Sequence, residues 1–521
     1  MDRIGKIMFL AVIMAGILLI IVIFCFLNGS LSRVEMDDNS QMKITETNTV
    51  SLELVPEDLL PGNLAAGKKV PPTEFVSADG SAVRLYDILQ KSDKNVWLSF
   101  DNELSGVDPK TLAAAYDTVW FFIEESDRVD TSGSVFLSDH DNACYELWGL
   151  QSLPFDIVLS SEGDVLEYHT GLENSGEIEG MLKRARDGRD VVSFSFIEKQ
   201  MSNGEGAFFT NTSMRGEPPS GEDVLSESQG LVMLYALKKD DRDLFEKTWT
   251  FTKTHLVKNG IAAWYVSSEG ITAAVNALLD DLRIYYALTL AGQKWNGVYL
   301  EEASAMRSAI KDLCLDKKGR LVDFTDLTSG ERSDTISLQY LDLSVLKAMA
   351  EVDEDFEQVY KSAETILLDG RISDTFPLYY KSYNYASRSY DTGNLNTAEA
   401  LYTLWNLSRV GLLPEDARLW LKQKVFAGTL GARYRTNGEV VSGYDFHSTA
   451  VYGLTALIAH ESGDDEMFEM ALRRMERKLI LDADSELFGA YAQVGTTIYS
   501  FDQLIPLFVN VALDERSELE R

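Results

Sequence analysis

The rhythm of apolar and polar positions changes three times along the chain. Ile7 to Leu27, "IMFLAVIMAGILLIIVIFCFL", carries no charge and is long enough for a helix to cross a hydrocarbon core. Asn28 to about Lys69 is polar, acidic and aperiodic, with "MDDNSQMKITETN" as its clearest stretch, and reads as a stalk. From Val70 to Asp187 short β-type runs alternate with helical ones: "NVWLSF", "DPKTLAAAYDTVWFFIEE", "SVFLS", "NACYELWGL", "FDIVLSS" and "VLEYH". That alternation predicts an α/β sheet domain. From residue 188 to the C-terminus the period is helical, and a unit recurs about every fifty to sixty residues. In each unit an apolar helix, an Asp/Gly-rich break and an amphipathic helix follow one another, as in "LVMLYALKKDDRDLFEKTWTFTKTHL" and "VYGLTALIAHESGDDEMFEMALRRMERKLI". Neither helix of such a pair can bury its apolar face alone. Single helices remain at "FSFIEKQM" and "FDQLIPLFVNVAL", and they complete each other only if the array closes. The expected fold is an all-α (α/α)6 barrel over 188–521, behind a sheet domain over 70–187.

Composition narrows the function. The 521 residues are 45% hydrophobic, enough for one large core and a smaller one. A formal net charge of −34 opposes nucleic acid as a partner. Arg3 and Lys6 precede the apolar run, so the positive-inside tendency leaves the N-terminus in the cytoplasm and the rest of the chain outside. The run ends in Phe26-Leu27-Asn28 rather than the small residues of a cleavage site, so residues 1–28 read as a single-pass anchor in the cell membrane. Cys25 follows the large Phe24, which argues against a lipidation signal. Only Cys144 and Cys314 lie beyond the anchor, no CxxC occurs, and the five histidines are scattered. Disulfide frameworks and zinc sites are thereby disfavoured, and neither a metal nor a cofactor is expected.

In a closed ring the inner helices run parallel, so their starts gather at one end. Those starts carry Glu227; Asp280 and Asp281; Tyr340; Tyr390 and Asp391; His447; and Tyr499. Separated acids among aromatic residues suit glycoside cleavage, in which one acid protonates the leaving oxygen and a carboxylate activates water or attacks carbon. Trp264 and Tyr265, after the first hairpin, could present ring faces to a sugar. A first-turn acid such as Glu227 equally suits a helix-capping role beside the dipole.

Two resemblances refine this picture. "PPTEFVSADGSAVRLYDIL" and "NACYELWGLQSLPFDIVLSSEGDVLEYHTG" resemble the thioredoxin superfamily, with Pro154 where that family carries its cis proline. The sequence reads "NELSGVDPK" where redox members carry cysteines, so thiol exchange lacks its reagents and the domain reads as a spacer or binding module. "VLSESQGLVMLYALKKDDRDLFEKTW", "NALLDDLRIYYALTLAGQKW", "SLQYLDLSVLKAMA" and "SRSYDTGNLNTAEALYTLW" resemble, in order, segments of glycoside hydrolase family 8, the inverting β-1,4-glycanases that include the cellulase associated with bacterial cellulose synthesis. The resemblance implies Glu227 as proton donor and Asp391 as general base. It also implies that Tyr390 and Tyr340 lie near the attacking water, with Asp280 and Asp281 binding substrate. Leu279 stands where the family has a sugar-binding aspartate, a role Asp280 would have to fill, and Gly230-Leu231-Val232 replaces the family's Gly-Tyr-Gly. The expected function is a membrane-anchored, extracytoplasmic hydrolase that cleaves a β-linked exopolysaccharide with inversion, beside the machinery that makes that polymer. The alternative is a catalytically inactive polysaccharide-binding protein of such an assembly.

Overall fold

The computed structural model describes residues 34–36, 42–44, 64–77, 80–100, 108–124, 136–139, 147–148, 150, 153–213, 222–295, 297–446, 448–492 and 497–519. The apolar run Ile7–Leu27, Cys144 and His447 lie outside these residues. No helix among the described residues is long and apolar enough to cross a membrane. Within the polar stretch read as a stalk, Val34–Met36 pairs antiparallel with Met42–Ile44.

The first domain is a seven-stranded sheet with the order 82–84, 74–77, 136–138, 118–124, 95–100, 155–159, 165–170. Asn95–Phe100 lies at its heart, parallel to Thr118–Glu124 and antiparallel to Phe155–Leu159. Both central strands bury almost every side chain, which is why "NVWLSF" and "FDIVL" read as apolar runs rather than alternations. The peptide bond before Pro154 is cis. Helices α1 (Leu85–Lys91), α2 (Pro109–Ala115) and α3 (Ser175–Asp187) complete this layer. One stretch differs from its sequence reading. "DPKTLAAAYDTVWFFIEE" is helical only as far as Ala115, where Asp117 takes a positive φ of 54° and the aromatic and β-branched residues that follow form a strand.

Among the described residues the helical region holds twelve α-helices: α4 (Arg189–Gln200), α5 (Ser226–Lys238), α6 (Arg242–His255), α7 (Leu278–Trp295), α8 (Val298–Leu313), α9 (Leu343–Val352), α10 (Asp355–Asp369), α11 (Thr397–Ser408), α12 (Glu415–Ala427), α13 (Thr449–Ser462), α14 (Asp465–Glu476) and α15 (Ser500–Leu519). The odd-numbered members from α5 to α15 contact one another in sequence, and α15 returns to pack on α5, so the inner ring closes. The last helix, α15, also packs on α4, as the two single helices in the sequence require. Inner and outer helices differ in burial as their patterns foretell. In α13 Thr449 to Ala459 are all buried, whereas α6 buries a stripe of Phe245, Thr248, Trp249 and Thr252. Aspartates at the breaks cap the following helices, as Asp241 does by accepting from the Leu244 N–H at 2.9 Å.

The two domains are joined by buried charge. Glu167, on the edge strand of the sheet, accepts from Arg184 Nε of α3 at 3.0 Å and meets Arg189 Nε of α4 at 2.8 Å. Both arginines reach Glu476 at the end of α14, at 2.7 and 2.8 Å. Tyr168 donates to Glu469, and Arg473 donates to the Leu64 carbonyl at 2.8 Å. Gly180 allows the contact to be this close, because a Cβ there would lie 1.7 Å from the Leu481 carbonyl oxygen.

Candidate active site at the barrel mouth

The strand Val224–Leu225 runs into α5 and pairs with Tyr265–Val266, so the Ser226 N–H donates to the Trp264 carbonyl at 3.0 Å. This pairing brings Trp264 beside the start of α5, and its ring lies 4.5 Å from that of Tyr265. The helix begins behind Leu225, which offers no side-chain cap. Glu227 does not cap it either: among the described residues its carboxyl accepts no hydrogen bond. Burial, reinforced by the charge of Asp280 and opposed by Arg283, pushes Glu227 up to about 7.

Asp280 comes from the first turn of α7. It accepts from Ser226 Oγ at 2.5 Å and from Arg283 Nη1 at 2.9 Å, and burial raises its carboxyl above the usual range. Arg283 Nη2 donates on to the Tyr402 hydroxyl of α11 at 2.9 Å, linking three inner helices around one guanidinium. Gly230 makes room for that arginine. A Cβ there would stand 3.0 Å from Arg283 Cδ, closer than an alanine fits unless the arginine gives way. The glycine retained from the family pattern therefore sets how α5 approaches α7. Leu279, where the family has an acid, is 6% exposed in the barrel core.

Tyr340 closes the short 3-10 turn Leu338–Tyr340 ahead of α9. Its phenol is raised far above its ordinary value, first by burial and then by Asp323, Asp280, Glu399 and Glu227. One phenol thus stands within electrostatic reach of four carboxylates. Asp323 accepts from the Ser337 N–H at 2.6 Å and from Thr335 Oγ1 at 2.7 Å. Glu399, in the first turn of α11, has a buried Oε2 with no hydrogen-bond partner.

The remaining expected site residues have other occupations. Asp281 is wholly buried, accepting from the Ala262 N–H and from Asn276 Nδ2, both at 2.7 Å, and burial pushes it up to about 8. It holds the strand Ile261–Ala262 to α7 and presents no open carboxylate. Tyr390 donates its hydroxyl to the Ile366 carbonyl at 2.7 Å and stacks on Tyr380. Asp391 is exposed, accepting from the Gly393 N–H at 2.8 Å, and neither residue figures among the charges acting on Glu227. Tyr499 is buried, on a strand paired with Asn211–Ser213. Sequence reasoning missed Arg283, Asp323, Glu399 and Tyr402. Glu399 could have been found by the rule that singled out Glu227, an acid in the first turn of an inner helix. Arg283, three residues after Asp280, carries the signal of an i,i+3 ion pair. Asp323 lies in a polar loop and offers none.

Residues 211–325 match the family described as Glycosyl hydrolases family 8. Among solved structures, a novel alpha-amylase from Clostridium perfringens is 30% identical, with a TM-score of 0.58 over 62% of this chain and 97% of its own. A candidate lipoprotein, YdaJ of Bacillus subtilis (strain 168), is 28% identical over 329 residues, 60% of this chain and 84% of the relative. A beta-1,3-1,4-glucanase from Paenibacillus sp. X4 shares the fold at 17% identity, with a TM-score of 0.50 over 63% of this chain and 91% of that one. The chain carries a domain of glycosyl hydrolases family 8, and it belongs to the glycoside hydrolases.

Proposed function

We propose that the protein cleaves a polysaccharide within its chain and with inversion, Glu227 protonating the leaving glycosidic oxygen. The observation that carries this reading is the state of Glu227 itself. Its carboxyl accepts no hydrogen bond among the described residues, is held protonated up to about pH 7, and follows directly on Ser226, whose N–H pairs with the Trp264 carbonyl. Arg283 and Asp280 then act as a charge pair that tunes the acid. The resemblance assigns the base to Asp391, on the exposed approach to α11. The acid and the base of an inverting pair stand roughly 6.5–9.5 Å apart, leaving room for water.

For the substrate, the family resemblance favours a β-1,4-linked exopolysaccharide, met outside the cell by a chain anchored through Ile7–Leu27. The candidate-lipoprotein description of YdaJ is in keeping with a surface location. The alpha-amylase from Clostridium perfringens supports a second reading, an α-1,4-glucan, through its higher identity. The thioredoxin-like domain would serve as a spacer or binding module in either case. The test is reducing-end release by the full-length chain in detergent, on amylose, β-1,4-glucan, xylan, chitosan and the host's exopolysaccharide. Cleavage that Glu227→Gln abolishes supports the reading, and the polymer cleaved decides between the linkages. Polymer binding without turnover on any of them would leave the inactive binding protein as the better account.

A further inference from the structure

Four carboxylates, those of Asp323, Asp280, Glu399 and Glu227, add to the rise that burial imposes on the Tyr340 phenol, and their hydrogen bonds sort them into two kinds. Asp280 has both oxygens engaged, by Ser226 and Arg283, and Asp323 has both engaged, by Thr335 and Ser337. Glu227 and Glu399 accept no hydrogen bond from protein. A carboxylate whose lone pairs are already filled by fixed donors is a poor proton acceptor, whereas one left open in a buried setting must take its partner from solvent or substrate. Glu399 also lines a cleft with Gln339, Tyr380, Lys381, Asn396 and Thr403, and its side chain is 30% exposed, which gives water a way to it. Burial raises the Glu399 carboxyl above its ordinary value, while Lys381, whose Nζ lies 4.0 Å from Glu399 Oε2, and Arg433 oppose that rise. Asn396 caps α11 by accepting from the Glu399 N–H at 3.2 Å, which fixes the backbone from which the carboxylate projects.

We propose that Glu399, rather than Asp391, is the general base of this enzyme. Water held at the Glu399 carboxylate loses a proton to it as the water oxygen bonds to the anomeric carbon. The bond from that carbon to the glycosidic oxygen breaks, and the departing oxygen takes the proton of Glu227. Glu399 leaves the step protonated and Glu227 ionised, and exchange with solvent resets both. The proposal rests on the reading of Glu227 as the acid, and it changes only which residue activates the water.

Glycosyl fluorides separate the two roles, because fluoride departs without protonation while the attacking water still needs its base. Full-length wild type, Glu227→Gln, Glu399→Gln and Asp391→Asn would be assayed for fluoride release from α-maltosyl fluoride and β-cellobiosyl fluoride, and for cleavage of the polymer the wild type accepts. Thermal melting would establish that each variant is folded. In the expected result Glu227→Gln loses polymer cleavage but keeps fluoride release, and Glu399→Gln loses both by at least about 10²-fold. Azide added to Glu399→Ala should restore turnover and yield a glycosyl azide, which a merely structural glutamate would not allow. If Asp391→Asn loses both activities and Glu399→Gln keeps them, the proposal is overturned and the hydrolase reading stands with Asp391 as base. If Glu227→Gln keeps polymer cleavage, or the wild type turns over neither fluorides nor polymers, both readings fall.

Discussion

Two clusters of buried carboxylates, one between the domains and one at the barrel mouth, are driven in opposite directions by their surroundings. Burial would raise Glu167 as it raises Glu227, yet Arg184, Arg189 and His169 gather on it and pull it down to about 2. Glu227 faces another acid and an arginine already committed to Asp280 and Tyr402, and it rises to about 7. Burial alone therefore does not mark a site. The partner supplied against burial decides whether a carboxylate becomes a fastener or a reagent.

The sharpest break in this comparison is expected from removing each carboxylate's function in turn. Glu227→Gln keeps the shape and removes the proton, and it should lower polymer cleavage by about 10²–10⁴-fold. The melting midpoint should hold or rise slightly, since a buried ionisable group is replaced by a neutral one. Arg184→Met does the reverse. It leaves Glu167 and Glu476 sharing one guanidinium, that of Arg189, instead of two, in a place where Arg184 and Glu167 have no exposed side-chain surface. Denaturant titration should show about 3–5 kcal/mol lost, while specific activity of the folded fraction is unchanged at low temperature. If Arg184→Met instead cost activity and no stability, the division between fastener and reagent would be wrong.

How far the sequence foretells each cluster follows from the same difference. The mouth was partly legible because a closed ring must collect the starts of its inner helices, and Glu227 and Asp280 sit at such starts. Asp281 sits one residue from Asp280 and reads alike, but a helix turns about 100° per residue, so its carboxyl points to the Ile261–Ala262 strand instead. Tyr390 donates its phenol to the Ile366 carbonyl, a partner 24 positions away that its motif does not announce. The network between the domains was illegible. Arg189 and Glu476 are 287 positions apart and Tyr168 and Glu469 are 301, and no local pattern in either partner announces the other.

A change of pH should separate the clusters without mutation. Glu227 and Asp281 are raised, to about 7 and about 8, so their contribution to stability is complete below the ordinary carboxylate value and is lost as pH rises through 7 to 8. Glu167 is depressed, so its contribution is complete above about 4.5 and is lost as pH falls toward 2. Melting midpoints followed from pH 3 to 9 should fall at both ends, and Asp281→Asn should flatten the alkaline side alone. Activity should fall above about pH 7 as Glu227 loses its proton. Asp280→Asn removes the charge that raises Glu227 and frees Arg283 to act on it, so that limb should move to lower pH by on the order of one unit. Movement to higher pH would mean that Asp280 does not tune the acid.

The smallest effect expected lies at the rim of the same domain interface. Lys68 Nζ meets Asp465 Oδ2 at 2.9 Å, but the two side chains are 36% and 54% exposed. Water already solvates both ions, so their Coulomb energy is weak and is further screened by salt. Lys68→Ala should cost no more than about 1 kcal/mol, shrinking as salt is raised, against the several expected for Arg184→Met in the same denaturant titration. Both pairs bridge the same two domains at similar distances, so the contrast isolates solvent exposure as the variable. A loss from Lys68→Ala as large as that from Arg184→Met would show that the rim, rather than the buried arginines, holds the sheet domain to the barrel.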